Sequence, residues 1–260
     1  MVLTVLTAVV VLGGIQSISK ATSFIVPFMA IVYVVGGLAI IFIHYDKVIP
    51  AIELICRSAF GLDAVVGGAI GTAIRYGVAR GVFSNESGMG SAPIAAAAAK
   101  TDHPCRQALV SMTGTFLDTL VVCSITGIVL VIGGLYATSG DTGAALTSHT
   151  FNDLLPGPGG WLVTFGLVFF AYSTILGWCY YGEKCASYLG GEKVVPIYRV
   201  IYVVTVLLGA GVNLGLVWAA ADVFNGLMAV PNLIALLLLS NVIVSETRDF
   251  IQKRRSGELH

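Results

Sequence analysis

The chain has 260 residues, of which 57% are hydrophobic and only 11% are charged, and its mean hydropathy is +0.91. A soluble domain carries about 25% charged residues, so this composition excludes an ordinary soluble protein and predicts a membrane protein. The formal net charge is zero, so the charge balance predicts no nucleic-acid partner.

Apolar runs divide the chain into seven predicted membrane spans. A span must cross about 30 Å of hydrocarbon, and its backbone groups must bond within a helix because no water is present. The sequence therefore predicts an all-α polytopic membrane protein. In chain order the spans are 2–14, which is short, 22–43, 65–99, 108–135, 159–181, 197–217 and 225–244.

Three polar segments connect or follow these spans. Tyr45–Phe60 is amphipathic and predicts an interfacial helix on the outer side of the membrane. Residues 139–160 are rich in Gly, Thr, Ser, Asp and Pro, which is typical of an exposed, mobile connection. The tail 248–260 is polar and basic, which indicates a topology anchor, with contact to lipid headgroups as the alternative.

Lysine and arginine residues lie mostly on one side of the predicted spans. Ten lie on the side of the C-terminus, Lys47 and Arg57 lie on the opposite side, and Arg75 and Arg80 lie within the span 65–99. Basic loops favour the cytoplasmic side of a membrane. The asymmetry predicts a multi-pass protein of the cell membrane with a cytoplasmic C-terminus.

The span 65–99 contains a polar, glycine-rich stretch, GVARGVFSNESGMGSAP, at residues 77–93. A continuous helix of this length would measure about 50 Å, which exceeds the thickness of a membrane. Its glycines, its serines and Pro93 disfavour a helix, so the pattern predicts a helix, an unwound centre and a second helix. Unwound backbone at membrane depth is typical of a transporter binding site, with close glycine packing between helices as the alternative.

Four charged residues lie in or near the apolar runs, namely Arg80, Glu86, Asp118 and Asp222. A charge costs about 2.5–3.5 kcal/mol near the bilayer centre, so these residues are expected to be paired or to face water. For Arg80 and Glu86 the alternatives are ligand binding and structural pairing. For Asp118 and Asp222 they are a cation path and simple pairing.

Two hydroxyl residues, Ser173 and Thr174, lie in the middle of the span 159–181. Thr174 shares a helix face with Trp178, four residues later, which favours a polar contact with a ligand. The alternative is that the threonine hydroxyl bonds to its own helix backbone.

The five cysteines and four histidines form no metal-binding or catalytic motif. The histidines fall in loops or at the ends of the predicted spans, and no carboxylate set accompanies them. The sequence therefore predicts that the chain is not an enzyme and that its cysteines and histidines hold no metal.

Three stretches closely resemble the alanine or glycine:cation symporter family: RGVFSNESGMGSAPIAAAAAKTDHPCRQALV, FAYSTILGWCYYGEK and ADVFNGLMAVPNLIALLLLS. The similarity extends over essentially the whole chain, although the family typically has Ala where this chain has Ser87. The resemblance implies a leucine-transporter-type fold with two five-helix inverted repeats and alternating access. It also implies sodium-coupled uptake of alanine, glycine or similar small neutral amino acids.

The resemblance further implies which residues form the site. The broken span looks like the sixth core helix, and the helix of Thr174 looks like the eighth. The implied cation-binding residues are Ser173 and Thr174, with Na⁺ as the coupling ion, no other cofactor, and membrane lipid as a partner. The implied substrate-binding residues are Phe83, Ser84, Asn85, Gly88, Met89, Gly90 and Thr174.

The resemblance also implies a domain plan that is partial, with core helices 4 to 10 present, the second repeat complete, and helices 1 to 3 missing. The expected divisions are residues 1–46 as the last two helices of the first repeat, 47–62 as an interfacial segment, 63–245 as the second repeat, and 246–260 as the basic tail. We therefore expect a C-terminal fragment that does not transport alone. The alternative is a channel or a membrane-embedded interaction subunit without transport of its own.

Overall fold

The computed structural model describes residues 2–12, 15–60 and 69–258, and within these ranges every regular element is helical. The α-helices are α1 (Val2–Leu12), α2 (Ile15–Ile43), α3 (Tyr45–Phe60), α4 (Ala69–Asn85), α5 (Ala92–Ala96), α6 (Pro104–Thr115), α7 (Ser124–Gly133), α8 (Gly143–Leu154), α9 (Pro158–Gly190), α10 (Val195–Gly209), α11 (Leu214–Leu238) and α12 (Ser240–Ser256). A π-helical segment, Phe116–Cys123, joins α6 to α7, and short 3₁₀ turns lie at Leu135–Ala137 and Glu192–Val194.

Small parts of four predictions lie outside the described residues. They are the end of the first span at 13–14, the end of the interfacial segment and the start of the broken span at 61–68, and the end of the tail at 259–260. Within the described part, Tyr45–Phe60 is a helix as predicted, and its position at the membrane interface stays a prediction.

Four of the described helical stretches are long and apolar enough to cross a membrane. They are Thr22–Ile43, Pro104–Gly133, Pro158–Gly190 and Leu214–Leu238. Three of them correspond to the predicted spans 22–43, 108–135 and 159–181. The prediction of an all-α, multi-pass membrane protein is confirmed at this level.

The predicted span 197–217 has wrong boundaries, because the chain leaves the helix before the predicted end of the span. α10 ends at Gly209 and α11 begins at Leu214. The side chain of Asn213 accepts hydrogen bonds from the N–H groups of Gly215 and Leu216, so it caps a new helix there. The signals for this boundary, Gly209, Gly211 and Asn213, are single residues inside a long apolar run, and the prediction followed the length of the run.

The predicted span 225–244 also has wrong boundaries. α11 covers its first part, the helix is interrupted at Leu239, and α12 then continues to Ser256. The basic tail predicted at 246–260 is therefore helical over most of its length.

The predicted exposed connection 139–160 is wrong over its central part, which forms α8. Thr150 and Phe151 are fully buried and Leu154 is nearly so. Phe151 and Leu154 are three residues apart and share one helix face, so the segment gains stability by burying that face. Small polar residues dominate the composition of the segment, so its short apolar stripe was not recognised in the sequence.

The chain forms two compact units, and the three boundaries between them fall inside α4, inside the π-helical segment, and between α10 and α11. The first unit comprises Met1–Arg75 and Leu120–Gly211, and the second comprises Tyr76–Thr119 and Val212–His260. This division differs from the domain plan expected from the family resemblance. That plan divides the chain into repeats rather than into compact units, and it stays a prediction.

Buried apolar side chains hold the first unit together. Its main core draws on α2, α3, α7, α8 and α9, and a smaller one joins α1 to α9. In α2, Gly36 and Gly37 lie against Leu162 and Ile125, where any Cβ atom would collide, so the helices approach closely. The buried residues of the main core are Tyr33, Ile40, Ala51, Ile125, Val129, Ile132, Phe151, Leu154 and Val163.

The second unit contains α5, α6, α11 and α12, together with the end of α4. Its described residues include few buried side chains, namely Met89, Ser91 and His103. Polar contacts between its helices take the place of an apolar core, and most of them converge on the break between α4 and α5.

Candidate functional site

The break in the predicted span is a six-residue unwound segment, residues 86–91, between α4 and α5. Glu86, Gly88 and Gly90 have positive φ angles of 56°, 81° and 85°. Glycine adopts this region freely, whereas Glu86 is the one non-glycine residue that does so in the described part of the chain. The helix after the break is shorter than predicted, because α5 ends at Ala96.

Side chains hold the unwound segment in one conformation. Ser91 Oγ donates a hydrogen bond to Glu86 Oε2 at 2.7 Å, and the Ser87 N–H donates to Asn85 Oδ1 at 3.0 Å. From α11, Asn232 Nδ2 donates to the carbonyl oxygen of Gly88 at 3.0 Å. The backbone that leaves the helix is therefore partly bonded to side chains rather than left without partners.

A cavity of about 660 Å³ lies beside the unwound segment within the second unit. Small residues such as Gly88, Gly90 and Ala96 form much of its wall, and α6 contributes a polar stripe. The volume falls in the range of small-molecule sites. The polar lining residues are Asn85, Glu86, Ser87, Thr101, Gln107, Ser111, Thr115 and Asn232.

A charged and aromatic cluster adjoins the end of α4. Arg80 Nη2 donates to both carboxylate oxygens of Asp222 at 2.7 and 2.8 Å, and the guanidinium lies 4.2 Å from the ring centroid of Trp218. Phe83 meets the same indole edge-to-face at 5.6 Å between ring centroids. The two charges are paired, as expected for charges in an apolar chain.

A second polar cluster surrounds Asp118 in the π-helical segment. Ser84 Oγ lies 2.9 and 2.8 Å from the two carboxylate oxygens of Asp118 and donates to them. Asn85 Nδ2 donates to Thr119 Oγ1 at 3.0 Å, and Thr119 Oγ1 lies 3.4 Å from Asp118 Oδ2. No cation within the described ranges forms an ion pair with Asp118, in contrast to Asp222. π-Helical turns in α-helices are frequent at functional sites.

The predicted site residues fall into three groups. Asn85, Gly88 and Gly90 border the cavity. Phe83 packs on Trp218, Ser84 bonds to Asp118, and Met89 is buried, so these three support the break without bordering the cavity.

Ser173 and Thr174 lie on α9 in the first unit. Ser173 Oγ donates to the carbonyl oxygen of Phe170 at 3.0 Å, and the Thr174 side chain is exposed. Their role as cation ligands stays a prediction.

Several lining residues were not predicted from the sequence. Gln107, Ser111 and Thr115 are each four residues apart, so they share one face of α6, and this spacing was a usable signal. Asn232 follows Pro231 inside an apolar run, where a lone amide side chain stands out. Its partner, the Gly88 carbonyl, is 144 residues away and has no sequence signal.

The sequence profile of the sodium:alanine symporter family matches residues 1–260, the whole chain. The chain belongs to the sodium:alanine symporter family. The family consists of symporters, so two predictions are confirmed: the family itself, and that the chain is not an enzyme.

Named relatives in the sodium:alanine symporter family match most of this chain. The sodium/alanine symporter AgcS of Methanococcus maripaludis is 60% identical over 258 residues, which cover 98% of this chain and 57% of AgcS. The probable sodium/glutamine symporter GlnT of Bacillus subtilis is 35% identical over 250 residues, 96% of this chain and 52% of GlnT. The sodium/proton-dependent alanine carrier protein of Bacillus sp. strain PS3 is 32% identical over 266 residues, 95% of this chain and 60% of the carrier. The chain thus spans between about half and 60% of the length of these curated relatives.

Proposed function

We propose that this chain takes part in sodium-coupled symport of a small neutral amino acid, alanine or glycine, by alternating access in a leucine-transporter-type fold. The observation that carries the proposal is the unwound segment 86–91, which borders a cavity in a chain of the sodium:alanine symporter family. The names of relatives support the substrate class, since AgcS is a sodium/alanine symporter.

The unwound segment suits a zwitterion because it offers both kinds of backbone group. N–H groups released from a helix can bind a carboxylate, and carbonyl groups released from it can bind an ammonium group. Gly88, Gly90 and Ala96 leave room for a ligand with a small side chain. Discrimination by one methyl group is worth only about 1–3 kcal/mol, so alanine and glycine both fit the proposal.

The coupling ion binds, in this proposal, at Asp118 together with the hydroxyl of Ser84. The support is a contrast between two carboxylates: Asp222 is neutralised by Arg80, whereas Asp118 meets only neutral donors in the described chain. A carboxylate inside an apolar span requires a cation or a proton as its partner. The family resemblance implies Ser173 and Thr174 as cation ligands, and that role stays a separate proposal.

The orientation proposed for the chain has a cytoplasmic C-terminus in the cell membrane. The basic end of α12, with Lys253, Arg254 and Arg255, supports it because such clusters favour the cytoplasmic side. Cysteine labelling of Ser256→Cys in intact cells and in inverted vesicles tests this orientation directly.

Uptake of radiolabelled alanine into proteoliposomes with an imposed sodium gradient tests the proposal. The chain is assayed alone and together with the part of AgcS that its match leaves uncovered, since the chain spans 57% of that protein. Saturable, sodium-dependent uptake in either preparation supports symport. Current that does not saturate with substrate would instead favour a channel, and a stable complex without any flux would favour an interaction subunit.

Matched variants locate the site in the same assay. Asn85→Ala and Phe83→Ala are expected to weaken alanine uptake, while Asn241→Ala, an exposed asparagine on α12, is not. Asp118→Asn is expected to raise the sodium concentration needed for half-maximal uptake far more than Ser173→Ala or Thr174→Val. An unchanged sodium dependence in Asp118→Asn would remove that residue from the ion site.

A further inference from the structure

His103 is a buried histidine in the second unit, with only 5% of its side chain exposed. It precedes α6 and caps it, because the N–H of Cys105 donates to His103 Nδ1 at 3.2 Å. Since Nδ1 accepts a hydrogen bond, the ring proton of the neutral imidazole is on Nε2. Nε2 therefore donates to Asp249 Oδ2 of α12, at 3.1 Å.

The acceptor on α12 is held in place by a second donor. Lys253 Nζ donates to the same oxygen of Asp249 at 2.7 Å. The hydrogen bonds from Lys253 and His103 lower the pKa of the Asp249 carboxyl from its ordinary value of 3.8, so it stays ionised at neutral pH. Glu246 Oε2 lies 3.9 Å from His103 Nε2, and the ring of Phe250 lies 5.1 Å from the imidazole, so one face of α12 meets His103.

The residues that flank His103 in the chain border the cavity, although His103 itself does not. Thr101, Pro104 and Gln107 border the cavity, and we call residues 101–107 the rim segment. Thr101 Oγ1 donates to the carbonyl oxygen of His103 at 3.1 Å. Asp102 and Arg106 pair with each other inside the rim segment at 3.0 Å. His103 is thus bonded to the rim segment through Nδ1 and its backbone, and to α12 through Nε2.

We propose that His103 is a positioning residue whose Nε2 bond to Asp249 ties the rim segment to α12, so that the C-terminal helix fixes one border of the cavity. The inference goes beyond the proposed transport function. Of its two tests, only the uptake measurement rests on that function.

Two substitutions at His103 separate its two hydrogen bonds. The side-chain oxygen of asparagine can replace Nδ1 as the cap of α6 but is too short to reach Asp249, so His103→Asn keeps the cap and loses the tether. The amide nitrogen of glutamine matches Nε2, so His103→Gln keeps the tether. Asp249→Ala removes the tether from the side of α12. Lys253→Ala is the matched control, since it removes the other donor to Asp249 and leaves His103 in place.

Amide hydrogen exchange of the full chain in lipid nanodiscs is the first measurement. His103→Asn and Asp249→Ala are expected to speed exchange in the rim segment about tenfold, as loss of a charge-assisted hydrogen bond implies. His103→Gln and Lys253→Ala are expected to leave it within about twofold of the unchanged protein. Unchanged exchange in the rim segment of Asp249→Ala overturns the inference, and so does a uniform rise over the whole chain, which would indicate general destabilisation. Asp249→Leu, which also lacks an acceptor for Nε2, serves if Asp249→Ala does not fold, with the same criteria.

Alanine uptake is the second measurement and rests on the proposed function. His103→Asn and Asp249→Ala are expected to raise KM several-fold with little change in kcat, and His103→Gln is expected to restore it. A fall in kcat alone, with KM unchanged in both variants, contradicts a positioning role. If the unchanged chain shows no uptake either alone or together with the uncovered part of AgcS, the transport proposal fails, and the exchange measurement still decides the role of His103.

Discussion

The two units of this protein are held together by different kinds of contact. In the first unit, side chains such as Ile40, Val129, Phe151 and Val163 are buried almost completely in an apolar core. In the described part of the second unit, the pairs are polar: Arg80 with Asp222, Ser84 with Asp118, Asn232 with Gly88, and His103 with Asp249.

This difference explains why the unwound segment lies in the second unit. Apolar contacts are non-directional, so they hold helices together without fixing a backbone that has left the helix. Hydrogen bonds and ion pairs are directional and cost free energy when broken in an apolar medium. They can therefore hold an unwound segment beside a cavity in one conformation.

Phe151→Ala should produce the largest loss of stability, because it leaves a cavity in the apolar core of the first unit. A buried phenylalanine replaced by alanine costs about 3–5 kcal/mol of unfolding free energy. The matched control is Phe42→Ala, since the Phe42 side chain is 73% exposed. Reversible unfolding in mixed detergent micelles measures both, and similar losses in the two variants would contradict the assignment of the core.

Loss of the Arg80–Asp222 ion pair should produce the second-largest loss of stability. Asp222→Ala leaves an unpaired guanidinium in an apolar region, and we expect a loss of about 2.5–3.5 kcal/mol. The double variant Arg80→Ala/Asp222→Ala should lose less than the sum of the single variants, because neither charge is then left alone. A double-mutant cycle in the same unfolding assay measures this coupling, and strictly additive losses would show that the pair contributes nothing.

Asn232→Ala should have a smaller effect on stability and a local effect on structure. It removes the donor to the Gly88 carbonyl, and leaving such a group without a partner costs about 1–3 kcal/mol. Hydrogen exchange should rise around residues 86–91, while Asn241→Ala leaves that segment unchanged. Equal exchange in both variants would mean that Asn232 does not stabilise the unwound segment.

Lowering the pH should have the smallest effect on stability, and this effect should be confined to α12. Hydrogen bonds from Lys253 and His103 lower the pKa of Asp249 in the folded protein below its ordinary 3.8. The contribution of its charge to stability is therefore complete above about pH 3.8 and is lost as the pH falls through the lower, folded-state value. Cleavage of α12 by pepsin should rise below that pH in the unchanged protein, and Asp249→Asn should show no such step. A step at higher pH would contradict the lowered pKa.

Much of the fold was predictable because composition and run length determine which segments become membrane helices. The stretch 77–93 was also predictable as a break, since Gly88 and Gly90 are the residue type that a positive φ angle favours. The predictions failed where a local signal was weak against its surroundings. The cap at Asn213 lies inside an apolar run, and the buried face of α8 lies inside a small, polar segment.

The candidate site was predictable only in part. Asn85, Gly88 and Gly90 border the cavity, but the stripe of Gln107, Ser111 and Thr115, which also borders it, belongs to a different helix. Which helix faces the break depends on packing, and no local pattern in the segment 77–93 specifies it.

The sequence by itself determined that the chain is helical, that its composition is that of a membrane protein, and that the span 65–99 is interrupted within residues 77–93. These properties follow from hydropathy and from the backbone preferences of single residues, which act locally. Only the tertiary structure decided that Arg80 pairs with Asp222 rather than with Asp118, and that His103 joins the rim segment of the cavity to α12. These partners are 142 and 146 residues apart in the chain, so their meeting depends on how the helices pack.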